Sequence, residues 1–137
     1  MIVSDANVIL HALTPGDHTS SAREALERAD GVAVPELWRL EVANALAVIV
    51  RRGLLEPEQA TQVFAGAVRT FGPREHETRP DAALAVALTS GLSAYDAEYV
   101  ALARELGCIL VTNDTRVLRE APDVARPLDE PGYGLRT

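Results

Sequence analysis

Two short apolar runs, Ile2-Val3-Ser4 and Cys108-Ile109-Leu110-Val111-Thr112, each lead into an acid where a strand gives way to a helix. No other feature constrains the fold as tightly. The first run reaches Asp5 and the second Asn113-Asp114, and in both the apolar period changes at once from that of a strand to that of a helix. Buried strands alternating with helices imply a mostly parallel sheet covered on both faces, an α/β sandwich of three layers. Open sheets of this kind place ligands at the carboxyl ends of their strands. If the two strands are neighbours, Asp5 and Asp114 share one edge, where carboxylates about 4 Å apart repel by about 4 kcal/mol at an effective dielectric of 20. A simpler use of both acids is capping, each accepting from the first turn of the helix it precedes.

Between and beyond these runs the spacing predicts the remaining elements. A short helix to about Leu13 and a turn over Thr14-Pro15-Gly16-Asp17 lead to a helix from His18 to Ala29, with Thr19, Ser20 or Ser21 as its cap. Val32-Ala33-Val34 reads as a brief strand stopped by Pro35. A long helix runs from Glu36 to about Arg52, closed by Gly53, and Pro57 opens another to about Thr70 with Ala60, Val63, Phe64, Ala67 and Val68 on one face. Glu75 to Thr78 is read as a short edge strand and Pro80 to Thr89 as an alanine-rich helix. Ser93 caps a helix that reaches Leu106 and ends at Gly107. A last helix to Glu120 and one edge strand within Val124–Leu128 complete a single domain of 137 residues, with a Gly/Pro-rich tail from about residue 123.

Glu41 is the most telling acid. From Leu40 to Val50 only Glu41 and Asn44 are polar, and at i and i+3 they share one helix face. Because this helix is apolar almost all round, it is expected to be buried, and a carboxylate there is costly unless Arg39, Arg51 or a cation meets it. Asp96 stands three residues after Ser93, the spacing of a capping box, though the same first turn also aims it toward a sheet edge. Four acids in such settings suggest a cation site. Oxygen ligands select a hard ion such as Mg²⁺ or Mn²⁺, which can neutralise a phosphate and activate water. His11, His18 and His76 are scattered without zinc spacing.

Composition removes whole classes of chemistry. All 13 basic residues are arginine, so Schiff-base catalysis and any phosphate site built on lysine are excluded. The formal net charge of -7 gives no general basic footprint for a polyanion, so cations must be supplied locally by arginine or metal. Cys108 has no partner for an internal disulfide and reads as a small core residue. No run is apolar for long enough to span a bilayer and no leader is evident, so a cytoplasmic protein without membrane contact is expected.

Four segments together carry a family likeness. Ile2-Val3-Ser4-Asp5-Ala6-Asn7-Val8, Pro35-Glu36-Leu37-Trp38-Arg39-Leu40-Glu41-Val42-Ala43-Asn44-Ala45, Ser93-Ala94-Tyr95-Asp96-Ala97-Glu98-Tyr99-Val100-Ala101-Leu102-Ala103 and Leu110-Val111-Thr112-Asn113-Asp114-Thr115-Arg116-Val117-Leu118 resemble, in that order, the motifs of PIN-domain nucleases. Size and the long second motif are similar to VapC toxins of type II toxin-antitoxin pairs, and the likeness runs to about Pro122. The resemblance implies a PIN-like sheet of order 3-2-1-4-5 and an endoribonuclease dependent on Mg²⁺ or Mn²⁺ that leaves a 5′-phosphate and a 3′-hydroxyl. It also implies a homodimer and a cognate VapB-like antitoxin that blocks the site.

Residue by residue, the resemblance places the catalytic acids at Asp5, Glu41, Asp96 and Asp114. Asp5, Asp96 and Asp114 would be the metal ligands, and Glu41 would complete the cluster or orient the attacking water. Asn7 and Thr112 match positions that support the ligands or face the phosphate. Arg39, Arg116 and Arg119 flank the acidic segments and are candidates for RNA phosphates or ordinary solvated charges. Two other readings compete. An aspartate-based phosphotransferase also gathers acids at strand ends but needs the missing lysine. A PIN-like module that binds RNA or protein without cutting is the alternative that only turnover separates from the nuclease.

Overall fold

Strand β1 (Ile2–Ser4) is the middle of the sheet and is buried at all three positions. The structure, a computed structural model, describes residues 1–129, so the end of the Gly/Pro-rich tail lies outside the described residues. Asp5 caps α1 (Ala6–Leu13), which is followed by α2 (Thr19–Arg28) and β2 (Val32–Pro35). Next come α3 (Trp38–Arg51), α4 (Pro57–Phe71), a 3-10 turn over Gly72–Arg74 and the two-residue strand β3 (Glu75–His76). Helices α5 (Pro80–Leu88) and α6 (Ala94–Leu106) return the chain to β4 (Ile109–Val111), and α7 (Thr115–Glu120) leads to β5 (Ala125–Arg126).

All four strand pairings are parallel and the order is β3-β2-β1-β4-β5, the expected sheet. Ile2 faces Val32 on one side and Ile109 on the other, and Ser4 faces Val111. The chain therefore steps from β1 outward to β3, then crosses back to the far side of β1. Right-handed crossovers moving in opposite directions put their helices on opposite faces. Helices α1 to α4 pack among themselves on one face, while α5 packs on α6, which lies across β1, β2 and β4. The core joins the layers through Val3, Val8, Ile9, Val34, Trp38, Val100, Leu110 and Val111, each no more than 2% exposed. Burial of each such side chain contributes roughly 1.5–3 kcal/mol.

Three local expectations change. Thr19, Ser20 and Ser21 do not cap α2; His18 holds that position without a side-chain bond, and the Thr19 hydroxyl donates instead to the Thr14 carbonyl at 2.6 Å. Pro35 does not stop β2 but belongs to it, pairing with His76 beyond the last β1 rung, where its missing N–H interrupts no bond to β1. Helix α3 is not buried all round. Trp38, Val42 and Leu46 face the core, whereas Leu40 is 77% exposed and Asn44 stands in solvent. Alanine fills enough of its surface that apolar composition overstated burial. By contrast α4 turns the expected face inward, with Ala60, Val63, Phe64, Ala67 and Val68 on the core, and Gly107 ends α6 in the left-handed region at φ 64°.

Candidate active site

Adjacent parallel strands β1 and β4 end in the two acids first singled out. Asp5 and Asp114 both serve as helix caps: Asp5 accepts the Asn7 amide at 3.4 Å, and Asp114 accepts the amides of Arg116 and Val117 at 2.9 and 3.3 Å. Capping is thus one role of each acid. Thr112 ties the pair together, donating from its fully buried hydroxyl to Asp5 Oδ2 at 2.7 Å and accepting the Asp114 amide on the same oxygen at 3.0 Å. Asn7 contributes its backbone and is itself exposed.

Glu41 reaches this edge from the first turn of α3 and Asp96 from the first turn of α6. Neither arginine considered for Glu41 meets it. Its partner is Tyr99, 3% exposed, whose hydroxyl donates to Glu41 Oε1 at 2.5 Å and so bridges the two helical layers. Asp96 makes only half a capping box: its amide donates to Ser93 Oγ at 3.1 Å, while no bond from its carboxylate back to the Ser93 amide exists among the described residues. That carboxylate forms no ion pair among the described residues.

Three of the four acids are shifted by burial and by their neighbours' charges. Burial raises Asp5 above the usual carboxylate range against the pull of the Thr112 and Asn7 bonds, and the charges of Asp96 and Asp114 raise it further. Burial likewise raises Glu41 to about 7, opposed by the Tyr99 bond and reinforced by Asp5 and Asp96. Asp96 is raised by burial and then by Asp114, with the Ser93 hydroxyl and the Arg116 charge acting the other way. Burial and the Glu41 charge push the Tyr99 phenol far upward, so it remains a hydrogen-bond donor throughout the physiological range. Among the described residues none of the four acids forms an ion pair.

Unpaired oxygen donors that repel one another suit a hard dication in kind. The spacing is wider than a closed cage: among the described residues, no three His, Cys, Asp or Glu side chains form a group that could hold a metal ion as they stand. Of the three arginines considered, Arg39 is bonded to Glu75 and lies 6.0 Å from the Trp38 ring centre, and Arg119 sits 3.6 Å from Glu120. Arg116 is exposed, forms no ion pair among the described residues, and its charge reaches Asp96.

Sequence reasoning missed two residues. Tyr99 stands three positions after Asp96, so their common helix face was a usable signal. Glu75 carried none. It accepts the Trp38 indole N–H at 2.7 Å and the Arg39 guanidinium, tying the edge strand to the start of the helix that carries Glu41.

Comparison with known proteins bears directly on this arrangement. The PIN domain model matches residues 2–124. The chain is 31% identical over 129 residues to Ribonuclease VapC3 of Pyrobaculum aerophilum, covering 92% of this chain and 98% of that one. It is 35% identical over 126 residues to Ribonuclease VapC9 of Mycobacterium tuberculosis, covering 85% and 88%. The crystal structure of PAE2754 from P. aerophilum superposes with a TM-score of 0.75 at 24% identity over 93% of this chain and 83% of that one. FitAcB from Neisseria gonorrhoeae does so with a TM-score of 0.69 at 20% identity over 91% and 95%, which speaks to the fold alone. A family model spanning nearly the whole described chain, together with relatives above 30% identity over most of both lengths, shows that the chain belongs to the PIN-domain family and is of the VapC type.

Proposed function

We propose that the chain is the endoribonuclease toxin of a type II toxin-antitoxin pair, hydrolysing RNA phosphodiester bonds at Asp5, Glu41, Asp96 and Asp114 with Mg²⁺ or Mn²⁺. The observation that carries the reading is the gathering of acids from separate segments at one sheet edge: Asp5, Glu41 and Asp96 are raised by burial and by neighbouring carboxylates, Asp114 among them, and none of the four forms an ion pair among the described residues. Asp5, Asp96 and Asp114 would hold the ion, which when bound supplies charge neutralisation at the phosphate and acidifies water. Thr112 holds one oxygen of Asp5 and fixes the carboxylate's rotation. Glu41, held at Oε1 by Tyr99, keeps Oε2 without a hydrogen bond among the described residues, and that atom orients the attacking water and receives its proton. In-line attack then releases a 5′-phosphate and a 3′-hydroxyl.

A VapB-like antitoxin, a homodimer and a cytoplasmic site of action complete the proposal. They rest on the relatives, and no described helix is long and apolar enough to cross a membrane. Titration of Mg²⁺ and Mn²⁺ into antitoxin-free wild type and an Asp5→Asn/Asp96→Asn double variant tests the site. Metal is expected to raise the melting temperature of the wild type alone, and cleavage of a panel of structured RNAs is expected to need both metal and the acids. Metal-dependent stabilisation without turnover would favour the binding module. Equal cleavage by the double variant would remove the proposal.

A further inference from the structure

Six large hydrophobic side chains are exposed among the described residues: Met1, Leu40, Leu54, Leu84, Leu88 and Tyr95. Two of them immediately precede a site acid, Leu40 before Glu41 and Tyr95 before Asp96, and Tyr95 is 70% exposed. The other described aromatic rings of Trp38, Phe64, Phe71 and Tyr99 belong to the core or pack against it. A lone exposed tyrosine in the first turn of α6 therefore has no packing role to explain it. Consecutive Cα atoms lie about 3.8 Å apart and consecutive helical side chains diverge by about 100°. Tyr95 and Asp96 are therefore neighbours in the first turn of α6 whose side chains leave the helix in different directions, the ring into solvent. Arg116, whose charge reaches Asp96 from α7, adds a guanidinium free of ion pairs among the described residues. A π face and a guanidinium beside one acid match the base and the phosphate of a nucleotide.

We propose that Tyr95 is the base-stacking platform of this site, taking one unpaired nucleobase of the RNA while Arg116 holds a neighbouring phosphate. The inference rests on the ribonuclease reading and adds which side chains of this chain would receive one base and one phosphate of the RNA. A base inside a duplex has both faces covered and its Watson–Crick edge in use, so it is not available to the ring.

The test is fluorescence-anisotropy binding, in Ca²⁺, of one short oligoribonucleotide as a single strand and annealed to its complement. Wild type, Tyr95→Ala, Tyr95→Phe and Tyr95→Trp are compared, with melting temperatures and Mn²⁺-supported cleavage measured alongside. Loss of one stacked base is expected to weaken single-strand binding by Tyr95→Ala about ten-fold, with duplex binding and melting temperature unchanged. The Phe and Trp variants keep a ring and are expected to stay within about two-fold of wild type. Equal single-strand affinity for Tyr95→Ala and wild type, in a protein that does cleave RNA, would overturn this inference alone and leave the ring as a protein contact. Equal loss in the Phe variant would also overturn it, because the face and not the hydroxyl is held to act. A wild type that neither binds nor cleaves any RNA would sink the underlying reading and this inference with it.

Discussion

Glu41 shows how one side chain is set by its surroundings. Its carboxyl is raised to about 7 from 4.5, chiefly by burial and then by Asp5 and Asp96, against the Tyr99 bond. Over that interval the folded state holds a proton that the unfolded chain has already released, so stability must fall as pH rises from about 4.5 to about 7. Asp5 and Asp96 are shifted in the same direction and add to the slope. In metal-free protein the Glu41→Gln variant is therefore expected to lose less stability than wild type over this window, and to be the more stable of the two above it. Urea unfolding at a series of pH values in EDTA checks the sign, and a wild type that gains stability across the window would contradict it. The pattern of one acid in an apolar helix was enough to single out Glu41. Its partner was not legible there, because Arg39 and Arg51 were the nearest cations on either side in sequence while Tyr99 arrives from 58 residues away.

At the scale of elements, the short strands decide the geometry. The two-residue β3 looks dispensable, yet it fastens the β2–α3 connection at several points. Glu75 accepts from Trp38 and Arg39, the Glu36 amide donates to the His76 carbonyl at 3.0 Å, and the Thr78 amide donates to Glu36 Oε1 at 3.2 Å. Glu41 lies one turn further along the same helix, so this clamp positions it. Glu75→Ala leaves the indole N–H of fully buried Trp38 without an acceptor, an expected loss of about 1–3 kcal/mol in urea unfolding. RNA cleavage should fall with it. Glu75→Gln keeps a carbonyl acceptor and should recover most of the stability, and if it falls as far as the alanine variant the lost charge and not the indole bond is responsible. Helix α3 also marks the limit of reading burial from composition. Leu40 and Asn44 face solvent because α3 turns only the side of Trp38, Val42 and Leu46 to the core, packing against α1 and α4.

At the scale of the molecule, the order β3-β2-β1-β4-β5 is what makes a site. The chain leaves β1 toward one side of the sheet and β4 toward the other, so the segments after these two strands diverge and open a crevice at their carboxyl ends. Asp5 and Asp114 stand on its two lips, Glu41 and Asp96 enter from opposite helical layers, and the Tyr99–Glu41 bond spans them. The arrangement depends on the core beneath it. Leu110, 1% exposed in β4, packs at the centre of the sheet, and Leu110→Ala is expected to cost about 2–5 kcal/mol. A loss below about 1 kcal/mol in the same unfolding measurement would mean that the cavity collapses and that β4 tolerates movement.

The sequence alone determined the periods and therefore the elements, because strand, helix and turn propensities are local. It determined the sheet order through the family motifs, and it singled out all four acids through their improbable settings among apolar residues. The lack of lysine and the acidic balance narrowed the chemistry further. Only the tertiary structure decided the pairings: Thr112 on Asp5, Tyr99 on Glu41, Glu75 on Trp38 and Arg39, and Arg116 left without an ion pair among the described residues. The reason is physical. A side chain's period and composition report which face of its own element it occupies, whereas a hydrogen bond across 36 to 107 residues exists only once the crossovers have brought two elements together.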